Sequence, residues 1–267
     1  MDHKHADVQK SGPDPAPRHG HDMAGHDQMM REEHERTLWV HFANAALGAW
    51  LLASPVAFGY QSGAMAWSDM ISGALIVVLS VLSISPERGW PRWGNCFIGI
   101  WLLFAPLVFW APTAASYATD TLVGSLVIAS AILVPGMPGM SMEAMMSGPD
   151  IPPGWTYNPS SWLQRAPLIG LALISFLLSR YLTAHQLGYI QGAWYPFFGD
   201  GTYRVLNSEV SRAWPFSDAG LGALTYVLEM LSGFMGDRRR WRTMPWMVLM
   251  FFVLVVPLGI TSIVLVM

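Results

Sequence analysis

The chain has 267 residues, 52% of them hydrophobic and only 12% charged, with a formal net charge of -3. Soluble domains carry charge on roughly a quarter of their residues, so this composition excludes an ordinary water-soluble globule. The small net charge gives no footing for nucleic-acid binding, and a single cysteine, Cys96, excludes any intramolecular disulfide.

Residues 1–36 are polar and hold six of the eight histidines, with no apolar core of a signal peptide among them. A free amine followed by Met1, Asp2 and His3 has the spacing for square-planar Cu(II) or Ni(II). His5, His19, His21, Met23 and His26 add donors, and Met137, Met140, Met142, Met145 and Met146 supply thioethers suited to Cu(I). The competing reading is a solvated, disordered tail, because no fixed ligand spacing repeats.

Apolar windows of about 18 residues or more mark membrane spans. Seven follow, near Leu38 to Phe58, Trp67 to Ile84, Trp93 to Trp110, Thr119 to Pro135, Leu163 to Leu187, Asp218 to Met235 and Met244 to Met267. The expected fold class is therefore all-α, a polytopic helical membrane protein of about seven transmembrane helices whose first partner is the lipid bilayer. Twelve Lys and Arg residues flank the side holding the N-terminus, including the run Arg238, Arg239, Arg240 and Arg242, against three on the other side, Arg180, Arg204 and Arg212. That asymmetry predicts a multi-pass cell-membrane protein with a cytoplasmic N-terminus and the 188–217 loop outside. Cys96 then begins a span on the cytoplasmic side and reads as a packed small residue.

The first four spans are a tandem duplication with a shift of 51 residues, in which Trp39 pairs with Trp90, Asn44 with Asn95, Gly48 with Gly99, Pro55 with Pro106, Asp69 with Asp120 and Gly73 with Gly124. The four glycines are expected where helices approach closely, Asp69 and Asp120 at helix N-termini, and Asn44 with Asn95 across a pseudo-twofold axis. Trp39, Trp67, Trp90, Trp93 and Trp110 fit interfacial belts. The expected division is a His/Met-rich tail over 1–36, a duplicated membrane domain over 37–136 with copies about 39–86 and 90–137, a linker rich in Met, Pro and Gly over 137–162, and a last membrane unit over 163–267.

The duplicated part is similar to the SPW-repeat family of bacterial membrane proteins, named for a Ser-Pro-Trp motif that here reads Ser54-Pro55-Val56 and Ala105-Pro106-Leu107. Such repeats are similar to ones found ahead of vitamin K epoxide reductase-like domains. In the last unit, Gly199 to Tyr226 resembles the reaction loop of that second family through Val205-Leu206-Asn207-Ser208-Glu209-Val210-Ser211, continuing into Pro215, Ala219, Gly222 and Tyr226.

The resemblance implies a thiol-quinone oxidoreductase, coupling disulfide formation in exported dithiol proteins, or in a thioredoxin-like partner, to reduction of a quinone. It places Thr202 where the family has a redox cysteine, so no catalytic residue is carried over. The family's Cys-x-x-Cys lies on a further helix, and the chain stops at Met267 within an apolar run, which predicts a shortened product or a relict without its redox helix. Thiol exchange needs two sulfurs, so the chain as given is expected to be inactive in that reaction.

The quinone-pocket candidates are Ser208, Ser211, Pro215, Ala219, Gly222 and Tyr226, with Glu229 as an intramembrane acid beside them. Alternatively, the serines cap a short helical turn and Tyr226 is an interfacial aromatic. Glu229 is expected either to pair with Arg180 or to relay protons. The competing function class is a non-enzymatic membrane scaffold with a copper-binding His/Met tail.

Overall fold

A computed structural model describes residues 19–85, 88–133, 148–193 and 199–266, which are helical with no strand among them. The first helix, α1 (His19–Ala57), begins inside the segment read as a tail, and its apolar stretch runs from His34 to Ala57. α2 (Gly63–Leu82) starts at Ser62, whose hydroxyl accepts from the Met65 amide at 3.4 Å. α3 (Pro91–Val108) opens on a proline, which costs nothing where the first amides lack partners. α4 (Ala114–Leu133) is started by reciprocal bonds, the Ser116 amide to Thr113 Oγ1 at 3.1 Å and the Thr113 amide to Ser116 Oγ at 3.3 Å. The second half holds α5 (Trp162–Gln186), the short turns α6 (Gly201–Leu206) and α7 (Glu209–Arg212), α8 (Asp218–Phe234), α9 (Arg240–Thr243) and α10 (Trp246–Val266).

Five stretches are long and apolar enough to cross a membrane: His34–Ala57, Gly63–Leu82, Ala114–Ile132, Trp162–Gln186 and Trp246–Val264. The other two expected spans exist as helices but fall short. α3 has 18 residues and α8 has 17, which at the helical rise is about 26 Å against a hydrocarbon core of about 30 Å. Both also carry polar residues, Arg92 and Asn95 in α3, Asp218 and Glu229 in α8. They lie inside the bundle, α3 against α4 and α8 against α5. α5 and α10 are peripheral, with Leu168, Leu171, Leu249 and Phe252 among their exposed side chains.

The duplication is visible in the packing. A Cβ on Gly73 would sit 2.6 Å from the Gly48 carbonyl oxygen, and one on Gly124 would sit 2.7 Å from that of Gly99. Each hairpin therefore crosses glycine on glycine, the close approach that lipid-embedded helices use for dispersion contact. Leu51, Ile76, Leu102, Val123 and Val127 fill the centre of the four helices. Leu103, Ile128, Val227 and Leu231 join α3 and α4 to α8, with Cys96 packed at the edge of that cluster.

Three expectations are corrected. Asn44 and Asn95 do not meet each other. Asn44 Oδ1 accepts from Ser130 Oγ at 2.7 Å and Asn95 Nδ2 donates to Ser80 Oγ at 3.2 Å, so each asparagine reaches the second helix of the other repeat. Asp69 and Asp120 are not caps: Ser62 and Thr113 take that role, and both aspartates lie about two turns into their helices, fully buried. Arg180 makes no ion pair with Glu229 among the described residues. Its guanidinium lies over the Tyr117 ring at 5.5 Å, because α5 turns that face toward α4.

The basic residues read from sequence as an orientation signal also hold the fold together. Arg165 is buried and donates to the carbonyls of Gly233 (2.6 and 2.8 Å), Met235 (3.1 Å) and Gly236 (3.1 Å), closing the C-terminal end of α8. Arg239 pairs with Asp150, Asn158 Nδ2 donates to the Arg238 carbonyl at 2.8 Å, and the Trp241 amide donates to Ser160 Oγ at 3.1 Å. The end of the linker is thus fastened to the α8–α10 turn. Arg239 holds the exposed Asp150 carboxyl below its usual range.

Candidate functional site

The loop that carries the family likeness folds back over one end of the second half because both of its feet are tied. α5 ends at Gln186, and Gly188 turns the chain with φ of 81°. Tyr189 then donates its hydroxyl to the Ala111 carbonyl, crossing to the duplicated half. Burial and the neighbouring Tyr117 keep that phenol protonated, well above its ordinary range. At the other foot, Ser217 caps α8 by accepting from the Gly220 amide at 2.9 Å.

Gln186 joins the two feet. Its Nε2 donates to Ser211 Oγ at 3.1 Å and to the Asp218 carboxylate. Its Oε1 accepts from the Ser217 hydroxyl and from the Ala219 amide at 3.3 Å. Both polar atoms of the amide are therefore fully used, which fixes its orientation and the start of α8 relative to the end of α5. Sequence reasoning passed over Gln186. The available signal was an amide side chain at the boundary of an apolar span facing Ser217 and Asp218 across the loop.

Between these parts lies a cavity of about 270 Å³, walled by Trp110, Trp214 and Phe216 and floored by Gln186, Ser211 and Ser217. Ser211 is buried, and its hydroxyl accepts from Gln186 while its own proton is committed to no partner among the described residues. The site thus offers the Ser211 hydroxyl as a donor beside aromatic rings, with His185, Asn207 and Arg212 also in its lining.

The seven expected pocket residues distribute unevenly. Ser211 lines the cavity and Ala219 contributes its amide to the Gln186 network. Ser208 caps α7, accepting from the Ser211 amide at 3.2 Å. Pro215 is exposed. Gly222 faces Ser179 of α5, where a Cβ would meet its hydroxyl at 3.4 Å, and Tyr226 lies beside it. Glu229 sits still farther along α8, with its carbonyl accepting from Ser232. Thr202, at the family's cysteine position, is half-buried in α6 and does not wall the cavity.

A second cavity of about 300 Å³ lies between the halves, lined by apolar groups including Phe97, Ile128, Leu228 and Met250, with Cys96 in its wall. Among the described residues no three His, Cys, Asp or Glu side chains gather as a metal site. The copper donors proposed from sequence, His3 and His5, lie outside the described residues, as do Met137 to Met146 and the side chains of His19, His21, Met23 and His26.

Residues 38–134 match the model of the SPW repeat domain, and residues 166–267 match that of the vitamin K epoxide reductase family. No curated protein matches the chain significantly, and no solved structure does. The order of the two matches is the one expected from the repeat and the loop. The glycine-on-glycine hairpins fall within the first matched segment, and the loop tied down by Gln186 falls within the second. The chain thus joins a segment that matches the SPW repeat domain to one that matches the vitamin K epoxide reductase family, in one helical membrane protein.

Proposed function

We propose that the vitamin K epoxide reductase-type half is a quinone-headgroup binding module that does not itself exchange disulfides. The observation that carries this reading is the loop cavity, where the Ser211 hydroxyl stands as an uncommitted donor between Trp110, Trp214 and Phe216. A bound quinone supplies an acceptor for two electrons and two protons. In this chain Ser211 orients a quinone carbonyl by donating to its oxygen, Gln186 holds the Ser211 oxygen from behind, and the rings flank the headgroup.

Disulfide formation requires an attacking thiolate and a second sulfur as its partner. The 267 residues hold one cysteine, Cys96, packed in α3 away from this loop, and Thr202 provides an alcohol of far higher pKa than a thiol. Electrons from an exported dithiol protein or a thioredoxin-like partner reach a quinone here only if sulfurs outside these 267 residues take part. The Lys and Arg asymmetry supports a cell-membrane location with the loop outside, which is the side where such partners reside. The non-enzymatic scaffold with a copper-binding tail is the second reading, favoured by the lack of a sulfur pair and by the six histidines before residue 35.

The test is equilibrium binding of a short-chain quinone to the full chain in lipid nanodiscs, read by quenching of tryptophan fluorescence. Saturable quenching that weakens in Ser211→Ala supports the reading. Quenching that is linear in quinone and identical in the variant discards it.

A further inference from the structure

The duplicated half contains a polar site of its own. Asp69 on α2 and Asp120 on α4 are related by the 51-residue repeat, so the pseudo-twofold brings the same side chain in from both copies. Both residues are 0% exposed. Their carboxyl groups adjoin and act on one another. None of the four oxygens has a hydrogen-bond donor among the described residues.

A further buried group is aimed into the pair from a different element. Tyr60, in the turn between α1 and α2, places its hydroxyl against Asp69, and that oxygen too is buried without a hydrogen bond of normal geometry. The phenol is held protonated well above its usual range, first by burial and then by Asp69 and Asp120. Among the described residues, no Lys, Arg or His acts on either carboxyl: Tyr60 and Asp120 act on Asp69, and Asp69 acts on Asp120. Arg180 of α5 lies over the rings of Tyr117 and Phe176, and α3 contributes Leu107 and Phe104 to the cluster around Tyr60.

Ionised carboxylates are acceptors only, so two of them side by side cannot bond to each other. Without a counter-cation in an apolar core, two adjacent negative charges are prohibitive. One proton resolves both problems, because a carboxylic acid donates to a carboxylate and the remaining charge is shared. We propose that Asp69 and Asp120 form a proton-binding site within the membrane domain, holding one exchangeable proton between them, with Tyr60 as the hydroxyl through which it communicates with the loop side. Tyr60 belongs to the cluster that also contains Phe216, Leu187 and Tyr189, so the site borders the loop region of the second half. The proposal does not depend on quinone binding.

Infrared spectroscopy of the full chain in nanodiscs tests it, using a Glu229→Gln background so that this other intramembrane acid does not contribute. At neutral pH a carboxylic C=O band is expected that shifts on exchange into deuterium oxide and disappears in Asp69→Asn/Asp120→Asn. Acidification should add a second such band as the pair takes up another proton, and Tyr60→Phe should slow the deuterium shift. Absence of the band at neutral pH overturns the proposal, as does a band that persists in the double variant. Conversion of the band to carboxylate on adding sodium, magnesium or calcium ions also overturns it, since the site would then be a cation site. The unsubstituted pair supplies the acidification and deuterium readouts even if the double variant fails to fold.

Discussion

Replacing Gln186 with leucine tests whether one amide fixes the loop onto the bundle. The substitution keeps the volume and removes four bonds, to Ser211, Asp218, Ser217 and the Ala219 amide. Three of the partners retain other bonds. Asp218 Oδ1 still accepts from the Ala219 amide at 2.8 Å, and Ser217 Oγ still accepts from the Gly220 amide. The largest losses are the charged bond to Asp218, worth about 1.5–3 kcal/mol, and the bond to buried Ser211, worth about 0.5–1.5 kcal/mol. Because the four share one side chain they do not add, and the expected cost is about 2–4 kcal/mol. Reversible unfolding in mixed micelles, followed by tryptophan fluorescence, measures it. Gln186→Glu should cost at least as much, since it sets a carboxylate against Asp218. A Gln186→Leu variant within about 0.5 kcal/mol of the parent, the range of neutral surface changes, would refute the reasoning.

Gly73→Val should part α1 from α2, because its Cβ would stand 2.6 Å from the Gly48 carbonyl oxygen. A loss of about 1–3 kcal/mol is expected, while Gly170→Ala, on an open face of α5, leaves the unfolding midpoint unchanged. Arg165→Met removes the cation from three carbonyl oxygens at the end of α8 and should cost about 3 kcal/mol or more. Arg165→Lys recovers part of this and does not reach all three oxygens. The folded-state acidity of Asp150 is increased by Arg239, so the pair is intact at neutral pH and is lost as pH falls through the lowered Asp150 value. Asp150→Asn at neutral pH should therefore reproduce the faster linker proteolysis that acidification causes, and proteolysis independent of both would contradict the fastening of the linker. Thr202→Cys restores one sulfur only, and titration with a thiol reagent should show reactivity without any dithiol-dependent quinone reduction.

The duplication was legible because the close-packed glycines have few substitutes. A 51-residue shift relates Gly48 to Gly99 and Gly73 to Gly124, and in the fold Gly48 meets Gly73, and Gly99 meets Gly124, at crossings where a Cβ does not fit. The asparagines misled because their spacing is symmetric but the serines they bind, Ser80 and Ser130, are not related by the same shift. Asp69 and Asp120 misled for a different reason. A carboxylate two turns into an apolar helix looks like a displaced cap when the helix boundary is placed late, and only packing reveals that the two meet. Arg180 was matched by charge to Glu229, whereas an aromatic face was nearer and needed no second buried charge. At the loop, motif likeness located Ser211 but not Gln186, which lies outside the motif and enters the site only through the return of the chain. The lengths of α3 and α8 show why hydropathy alone overstated uniformity: both are shorter than the hydrocarbon core and carry Arg92, Asn95, Asp218 and Glu229.

The most direct test of a quinone-binding half without its own thiol chemistry uses one preparation for two readouts. The full chain in nanodiscs is titrated with a short-chain quinone and then supplied with excess dithiol while quinone absorbance is followed. Saturable binding is predicted, weakened about threefold to tenfold in Ser211→Ala, as loss of about 0.7–1.4 kcal/mol requires. Quinone consumption is predicted to stay at the rate of empty nanodiscs. Dithiol-dependent turnover by this chain alone, or quinone binding indifferent to Ser211, would contradict it.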